Sequence, residues 1–238
     1  MNFETFSLKG SSIFIIATIE DILFITIYIE VKIMQDKLKR IYQIIRLGEN
    51  LKTELRHSWL SNGRRESVAE HTWRMTLMAV LLQPYLKTNL DMDKLLKMVI
   101  IHDLVEAEAR DIPVFEIMND VAAMKQKQAN ELRAMSNIKN ILPEELGEDL
   151  YRIWIEFEAK ETYEAKVANA LDKLEVQIQH NEADISTWKP IEYELCLLLG
   201  EHTDFSSVLT ELKAIIELEA KEKIQQSQKQ TISLQNKK

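Results

Sequence analysis

Histidine and acidic residues stand at positions where helical periodicity would bury them. In the segment that begins at Ser67, apolar residues follow one helical face through Val68 and Met75 to Leu82, and His71 falls on that face. A single inward histidine is ordinarily a hydrogen-bonded core residue. His71 by itself therefore predicts no chemistry.

A second helical segment turns several ionisable groups toward the interior. Leu95 and Val99 share a helical face with His102. Glu106 follows on that face, and Asp103 lies on its flank. A buried carboxylate is costly unless it is paired with a cation or bound to a metal ion. Few basic residues stand nearby, which favours the metal.

Another carboxylate occurs in the middle of a later helical segment. Asp172 is flanked by Leu171 and Leu174, although aspartate is a poor residue for a helix interior. Taken alone, a solvated aspartate paired with Lys173 is the simpler interpretation. Together, the two imidazoles and two carboxylates make a mixed nitrogen and oxygen set that suits one divalent Mn, Co, Fe, Mg or Zn ion, with open positions for water and substrate.

The elements that must position these residues are predicted to be helices. The 238 residues include only 5 Gly and 4 Pro, a composition that leaves little room for the tight turns of a sandwich or barrel. We predict an all-α helical bundle with the metal site between helices, and one domain over residues 34–223. The predicted helices cover residues 34–52, 67–83, 91–110, 119–137, 143–158, 163–182 and 206–223, with a polar loop over 56–66.

The two ends of the chain differ in composition from this domain. Residues 1–33 include a run rich in isoleucine and threonine, but Glu20 and Asp21 in its middle argue against a transmembrane helix. Three alternatives stay open for this segment: a dispensable extension, with Met34 as the natural start, an ordered element packed on the domain, or a membrane anchor. Residues 224–238 are predicted to be a polar, frayed or disordered tail.

Three motifs in order resemble those of the HD-domain metal-dependent phosphohydrolases. They are ESVAEHTWR, IIHDLVEA and EAKVANALDKLE, within a similarity that covers about residues 34–188. The similarity is closest to the YfbR-like 5'-deoxynucleotidase branch, which also carries an arginine and a tryptophan ahead of the first motif. The resemblance implies an HD-domain helical fold with His71, His102, Asp103 and Asp172 as the ligands of one divalent ion.

The same resemblance implies roles for residues around the ion. Glu106 would be the general base or proton shuttle for the attacking water. Arg56 would bind the phosphate and Trp59 would contact the nucleoside. The loop with Asp111 and Pro113 would close on the nucleoside.

Two departures from the family pattern affect the substrate residues. The family usually has glycine before the loop aspartate, whereas Arg110 precedes Asp111 here, so a bulky residue fills a turn that favours positive φ. The segment over 56–66 also aligns in more than one register, so either His57 or Trp59 could be the aromatic contact.

The sequence of this segment also leaves open which arginine binds the phosphate. Arg64 and Arg65 compete with Arg56 as phosphate ligands, and all three could belong to a solvated loop.

Charge and cysteine content narrow the function classes. A net charge of -8 argues against a nucleic-acid binder, which would need a basic face, and no membrane association is expected. The single cysteine, Cys196, favours a reducing cytoplasm.

We predict an enzyme that hydrolyses the 5'-phosphate of a small (deoxy)nucleoside monophosphate. For its assembly, a homodimer stays open. The alternatives are a hydrolase of a larger phosphorylated nucleotide, a triphosphate or an alarmone, and a non-catalytic metal-binding interaction protein.

Overall fold

A computed structural model describes residues 18–235 of the chain. Within these residues, the fold consists of eleven α-helices, short 3-10 turns and one antiparallel β-hairpin, so the all-α prediction is confirmed. The strands are β1 (Leu55–Trp59) and β2 (Arg65–Ser67). The helices are α1 (Ile19–Leu47), α2 (Val68–Leu82), α3 (Met92–Ile101), α4 (Glu106–Ala109), α5 (Val114–Ile117), α6 (Val121–Ile141), α7 (Glu144–Ala159), α8 (Tyr163–Glu182), α9 (Glu192–Leu195), α10 (Gly200–Thr203) and α11 (Ser207–Gln235).

Helix α8 forms the centre of the core. The predicted helix over 163–182 has these same ends, and the Thr162 hydroxyl caps it by accepting a hydrogen bond from the Ala165 N–H. The helix packs against α2, α3, α7 and α11. Its central turns carry small or aliphatic residues such as Ala168 and Leu171, which have no exposed surface. Neighbouring helices can therefore approach its charged residues closely.

A capping box starts α2 and sets the direction of His71. The Ser67 hydroxyl accepts from the Glu70 N–H at 3.3 Å, and the Glu70 carboxylate accepts from the Ser67 N–H at 2.9 Å. Both bonds fix the first turn. The face that includes His71 and Met75 is consequently buried against the core.

The predicted helix over 91–110 is interrupted, and the interruption has a structural reason. Helix α3 ends at Ile101, and tight turns lead to α4, with the Leu104 N–H bonded to the Ile101 carbonyl and the Glu106 N–H to the Asp103 carbonyl. A continuous helix would point adjacent side chains about 100° apart. The tighter path lets His102 and Asp103 approach each other.

The predicted polar loop over 56–66 is wrong, because this segment forms most of the hairpin β1–β2. Gly63 adopts φ of 82° at its turn, a conformation that glycine tolerates best. The pairing shifts between Leu55 and Trp59, so β1 contains a bulge. The strands are short and polar, which hides the alternation that normally marks a strand.

The predicted ends of the first and last long helices are also wrong. Helix α1 begins at Ile19 rather than Met34, so residues 33 and 34 lie inside one helix. Helix α11 continues past Lys223 to Gln235, which contradicts a frayed tail for the described part of that segment. Residues 1–17 and 236–238 lie outside the described residues. Within residues 18–235, no helix combines the length and apolar character that crossing a membrane requires.

Candidate metal centre and active site

Three helical segments bring the four predicted metal ligands together. His71 comes from α2, His102 and Asp103 from the turn after α3, and Asp172 from the middle of α8. The nearest donor atoms of His71, His102 and Asp103 all lie within 4.8 Å of one another. Asp172 Oδ1 lies 3.2 Å from His71 Nε2, and Asp103 Oδ2 lies 3.0 Å from His102 Nε2.

The two imidazoles are oriented for coordination through Nε2. His102 is 4% exposed, and its Nδ1 contacts the Val99 carbonyl at 2.8 Å, which requires the proton on Nδ1. His71 has no exposed surface, and its Nδ1 contacts Glu175. Among the described residues, neither Nε2 atom makes a hydrogen bond of acceptable geometry, although carboxylate oxygens lie 3.2 Å and 3.0 Å away. Two buried nitrogens facing two carboxylates fit the donor set of a divalent ion.

The electrostatics of the cluster also favour a cation. Burial and Arg56 lower the pKa of His71, but Glu175 and Asp172 outweigh them and raise it to about 9. Burial raises the pKa of Asp172, but Lys173 and His71 hold it well below its usual range. Both carboxylate and imidazole thus favour their charged forms. A metal ion would replace the imidazole proton, because a ligating histidine must be neutral.

Arg56 faces this cluster from β1. Its Nη1 lies 3.1 Å from Asp103 Oδ2, and its side chain is 13% exposed. The competing arginines lie elsewhere: Arg64 pairs with Glu70 on the surface at 2.6 Å, and Arg65 donates through Nε to the Arg56 carbonyl at 2.6 Å. Of the three, Arg56 is therefore the one beside the predicted ligands.

Glu106 and Asp111 add two more acidic groups near Asp103, and we call these residues, with Arg56 and the four predicted ligands, the cleft. Glu106 is 5% exposed, and its Oε2 has no hydrogen-bond partner among the described residues. Burial and the nearby carboxylates Asp103 and Asp111 raise the pKa of Glu106 well above its usual value. Burial also raises the pKa of Asp111, although Arg56 lowers it. A raised pKa suits a carboxyl that must hold and release a proton near neutral pH.

The loop after α4 has the positive-φ residue that the family pattern predicts before Asp111. Arg110 has φ of 73°, so a bulky residue does fill a positive-φ position. Its guanidinium bonds Glu54 at 2.8 Å, and the Asp111 N–H donates to the same carboxylate at 3.2 Å. Pro113 then occupies the N-cap position of α5. These contacts anchor the loop to the segment that leads into β1.

The two candidate aromatic residues of β1 have different partners. His57 packs edge-on against Phe115, with ring centroids 4.8 Å apart, and its Nε2 lies 3.4 Å from Glu192. Trp59 ends the strand, and its carbonyl accepts a 2.7 Å hydrogen bond from Gln179. Both side chains are partly buried, so neither is a freely solvated loop residue.

Sequence reasoning missed two charged residues near this site. Burial lowers the pKa of Lys127 on α6, but its partner Glu131 and, to a smaller extent, Glu106 and Asp103 raise it, a placement that no local pattern could reveal. Glu175, which contacts His71, could have been found, because it follows Asp172 by three residues and so lies on a neighbouring part of the same helical face.

Comparisons with known proteins agree with this arrangement. The HD domain family profile matches residues 48–213. The 5'-deoxynucleotidase HDDC2 of Homo sapiens is 29% identical over 182 residues, which cover 74% of this chain and 86% of the human protein. The protein of the same name from Mus musculus is 31% identical over 150 residues, covering 62% of this chain and 72% of the mouse protein.

A solved structure extends the likeness to three dimensions. The crystal structure of a predicted metal-dependent phosphohydrolase from Magnetospirillum magnetotacticum matches with a TM-score of 0.69 and 28% sequence identity. The match covers 81% of this chain and 97% of the bacterial one. Sequence and fold therefore point to the same group of proteins.

Proposed function

This chain belongs to the HD-domain family, and we propose that it is a metal-dependent phosphohydrolase that removes the 5'-phosphate of (deoxy)nucleoside monophosphates. The observation that carries the proposal is the pair of buried Nε2 atoms, of His71 and His102, which face Asp103 and Asp172 without a hydrogen bond of acceptable geometry among the described residues. The substrate class is supported by relatives named 5'-deoxynucleotidase that align with most of this chain.

In this proposal His71, His102, Asp103 and Asp172 hold one divalent ion, which could be Mn, Co, Fe, Mg or Zn. When bound, such an ion would lower the pKa of a coordinated water from its high bulk value to about 7 and would polarise the phosphoryl oxygens. Arg56 binds a phosphate oxygen from the hairpin. Its charge also offsets the repulsion between a phosphate dianion and the carboxylates of the cleft.

Glu106 moves the proton in this reaction. Hydrolysis adds water across the P–O bond, so the nucleoside leaves with a proton on its 5'-oxygen and inorganic phosphate is released. The buried Oε2 of Glu106 can accept the proton from water and return it to the leaving oxygen. The raised pKa of this carboxyl favours its holding the proton between the two transfers.

The hairpin and the loop after α4 would contact the nucleoside. Trp59 and the segment of Asp111 and Pro113 are the proposed contacts, with His57 as the alternative aromatic residue. A deoxyribose ring would pack on an apolar ring, whereas a ribose 2'-hydroxyl pressed there would lose its water partner. Trp59→Ala should therefore narrow the kcat/KM ratio of dAMP over AMP, and an unchanged ratio would point to His57.

The function is tested by phosphate release from metal-stripped protein. Mn²⁺, Co²⁺, Mg²⁺ or Zn²⁺ is added separately, and the substrates are ribonucleoside and deoxyribonucleoside 5'-monophosphates, the matching triphosphates and an alarmone. We expect phosphate release from the 5'-monophosphates with at least one of these metals. Turnover of triphosphates or alarmones alone would identify a different hydrolase. Metal binding without any turnover would indicate an interaction protein.

The same proposal includes a cellular setting. A free nucleotide substrate fits a reducing cytoplasm, and the single cysteine, Cys196, is buried in the structure. A homodimer remains a prediction, and light scattering of the purified full chain tests it.

A further inference from the structure

The side of His71 that faces away from Asp172 contacts a buried carboxylate. His71 Nδ1 and Glu175 Oε2 are within hydrogen-bond contact, and neither side chain has exposed surface. A neutral imidazole carries one ring proton, so a carboxylate at Nδ1 holds that proton there and leaves the Nε2 lone pair for a metal ion. We propose that Glu175 is a positioning residue that fixes the tautomer and ring orientation of His71, an inference that rests on the proposed metal-dependent function.

Arg74 in turn fixes Glu175. Its Nε donates to Glu175 Oε1 at 2.7 Å, so each carboxylate oxygen has its own partner. Two further guanidinium nitrogens donate to Gln179 Oε1 at 2.5 Å and to Glu182 Oε2 at 2.7 Å. The planar guanidinium therefore holds three side chains of α8 in one arrangement.

Gln179 connects this network to the substrate side of the cleft. Because its Oε1 accepts from Arg74, its Nε2 is directed to the Trp59 carbonyl, which accepts at 2.7 Å. Trp59 ends β1, the strand that also carries Arg56. Arg74 thus couples the orientation of a metal ligand to the position of the phosphate-binding strand.

The substitution Glu175→Gln tests the tautomer directly. Arg74 Nε would continue to bond the oxygen of the new amide, which turns the amide nitrogen toward His71. That nitrogen can only donate, so His71 Nδ1 must accept and its proton moves to Nε2. The lone pair needed for the metal is then blocked, although the size and packing of the side chain hardly change.

The measurement is calorimetric titration of metal-stripped protein with Mn²⁺. We expect Glu175→Gln to bind Mn²⁺ about 10- to 100-fold more weakly than wild type, with an unchanged circular dichroism spectrum. Glu182→Gln is the matched control, because Glu182 also accepts from Arg74 but its side chain is 51% exposed and it is not in contact with His71. Wild-type affinity in folded Glu175→Gln would overturn the proposal.

A second measurement needs no variant and applies even if Glu175→Gln fails to fold. In Zn²⁺-loaded wild type, nuclear magnetic resonance should show the His71 Nδ1 proton protected from exchange and the metal on Nε2. A metal ion on Nδ1 would contradict the proposed role of Glu175.

The coupling to the hairpin has its own test. Gln179→Ala should raise KM for the nucleotide and leave Mn²⁺ affinity within about twofold, because it removes the bond to β1 and one bond of Arg74 but leaves Arg74 Nε bonded to Glu175. Arg74→Gln should change both quantities. An unchanged KM in Gln179→Ala would overturn the coupling.

The outcomes separate this inference from the function itself. Mn²⁺ binding requires no turnover, so wild type that binds Mn²⁺ without hydrolysing nucleotides would refute the proposed function and leave the role of Glu175 intact. If instead the wild type hydrolyses nucleotides and the Glu175→Gln variant keeps wild-type Mn²⁺ affinity, the role of Glu175 is refuted and the proposed function stands.

Discussion

In the cleft, the ionisable side chains of His71 and Glu106 are buried, whereas on α1 the apolar side chain of Phe24 is 73% exposed and no residue is buried. Ionisable side chains are usually exposed and large apolar side chains are usually buried, so each region shows the opposite of what is usual. The buried charges have partners in each other, in Arg56 and in the proposed metal ion.

Within the described residues, no other part of the chain covers the exposed apolar residues of α1. The carboxyl-terminal half of this helix is attached, since Arg40 donates to the Ile141 carbonyl at 2.6 Å and Ile41 and Ile44 pack against the core. The half from Ile19 to Ile33 is not. We therefore expect a functional role for the buried ionisable residues, which lie close to one another, and none for the exposed apolar residues of α1, which do not. Substitutions in the cleft should therefore have large effects, and changes in the first half of α1 small ones.

The largest effect is expected from the proposed metal ligands. His102→Ala or Asp103→Ala should remove bound metal and nucleotide hydrolysis together while helix content is kept, because the proposed ion would join helices that an apolar core already holds. Elemental analysis and circular dichroism measure both quantities. Asp93→Ala is the control, since Asp93 forms only an exposed pair with Lys97 on α3. Full metal occupancy in either ligand variant would refute the assignment.

Glu106→Gln should separate chemistry from metal binding. The amide keeps the size of the side chain but cannot accept a proton, so kcat should fall about 10²-fold with metal content unchanged. Glu108→Gln on the same short helix α4 is the control, because Glu108 is exposed. Unaltered kcat in Glu106→Gln would mean that another group moves the proton.

Arg56→Lys should have a smaller effect, confined to substrate binding. Lysine preserves the charge but cannot form two parallel hydrogen bonds to phosphate, so KM should rise about tenfold for every nucleotide alike. Steady-state kinetics with dAMP, AMP and dCMP measure this. Arg64→Lys should leave KM as it is, because Arg64 pairs with Glu70 at the surface. A base-dependent rise would place Arg56 against the nucleoside instead.

Glu66 offers a test of charge burial through pH. Burial and Glu175 raise its pKa to about 7, although His71 and Arg56 oppose them. A carboxyl that binds its proton more tightly in the folded state favours folding less as pH rises, so this contribution is lost between about pH 4.5 and 7.

The pH effect is measured as a difference between two proteins. Glu66→Gln cannot titrate, so the free energy of unfolding of the metal-free variant should increase relative to wild type as pH rises through that window. Urea unfolding at several pH values measures it. A constant difference would show that Glu66 titrates normally.

The helical part of the site was predictable from sequence because helical phase is a local property. The capping box of Ser67 and the run around Asp172 define their helices without reference to distant residues. The hairpin was not predictable, since its bulge and its contact with Asp103 depend on tertiary packing. The break after Ile101 was missed for a similar reason: helical periodicity continues across the motif, and no local signal marks the turns after which His102 and Asp103 lie 3.0 Å apart.

The smallest effect is expected from removing residues 1–33. A chain that begins at Met34 keeps Arg40, Ile41 and Ile44, the residues that attach α1 to the domain. Its kcat/KM should match the full chain within about twofold and its Tm should change little, because residues 19–33 of α1 bury no side chain. Arg40→Ala in the full chain is the contrasting variant: it removes the bonds to the end of α6 and should lower Tm. Loss of activity in the shortened chain would show that the first half of α1 is needed for the activity of the cleft. The two regions would then differ only in how strongly each one affects activity.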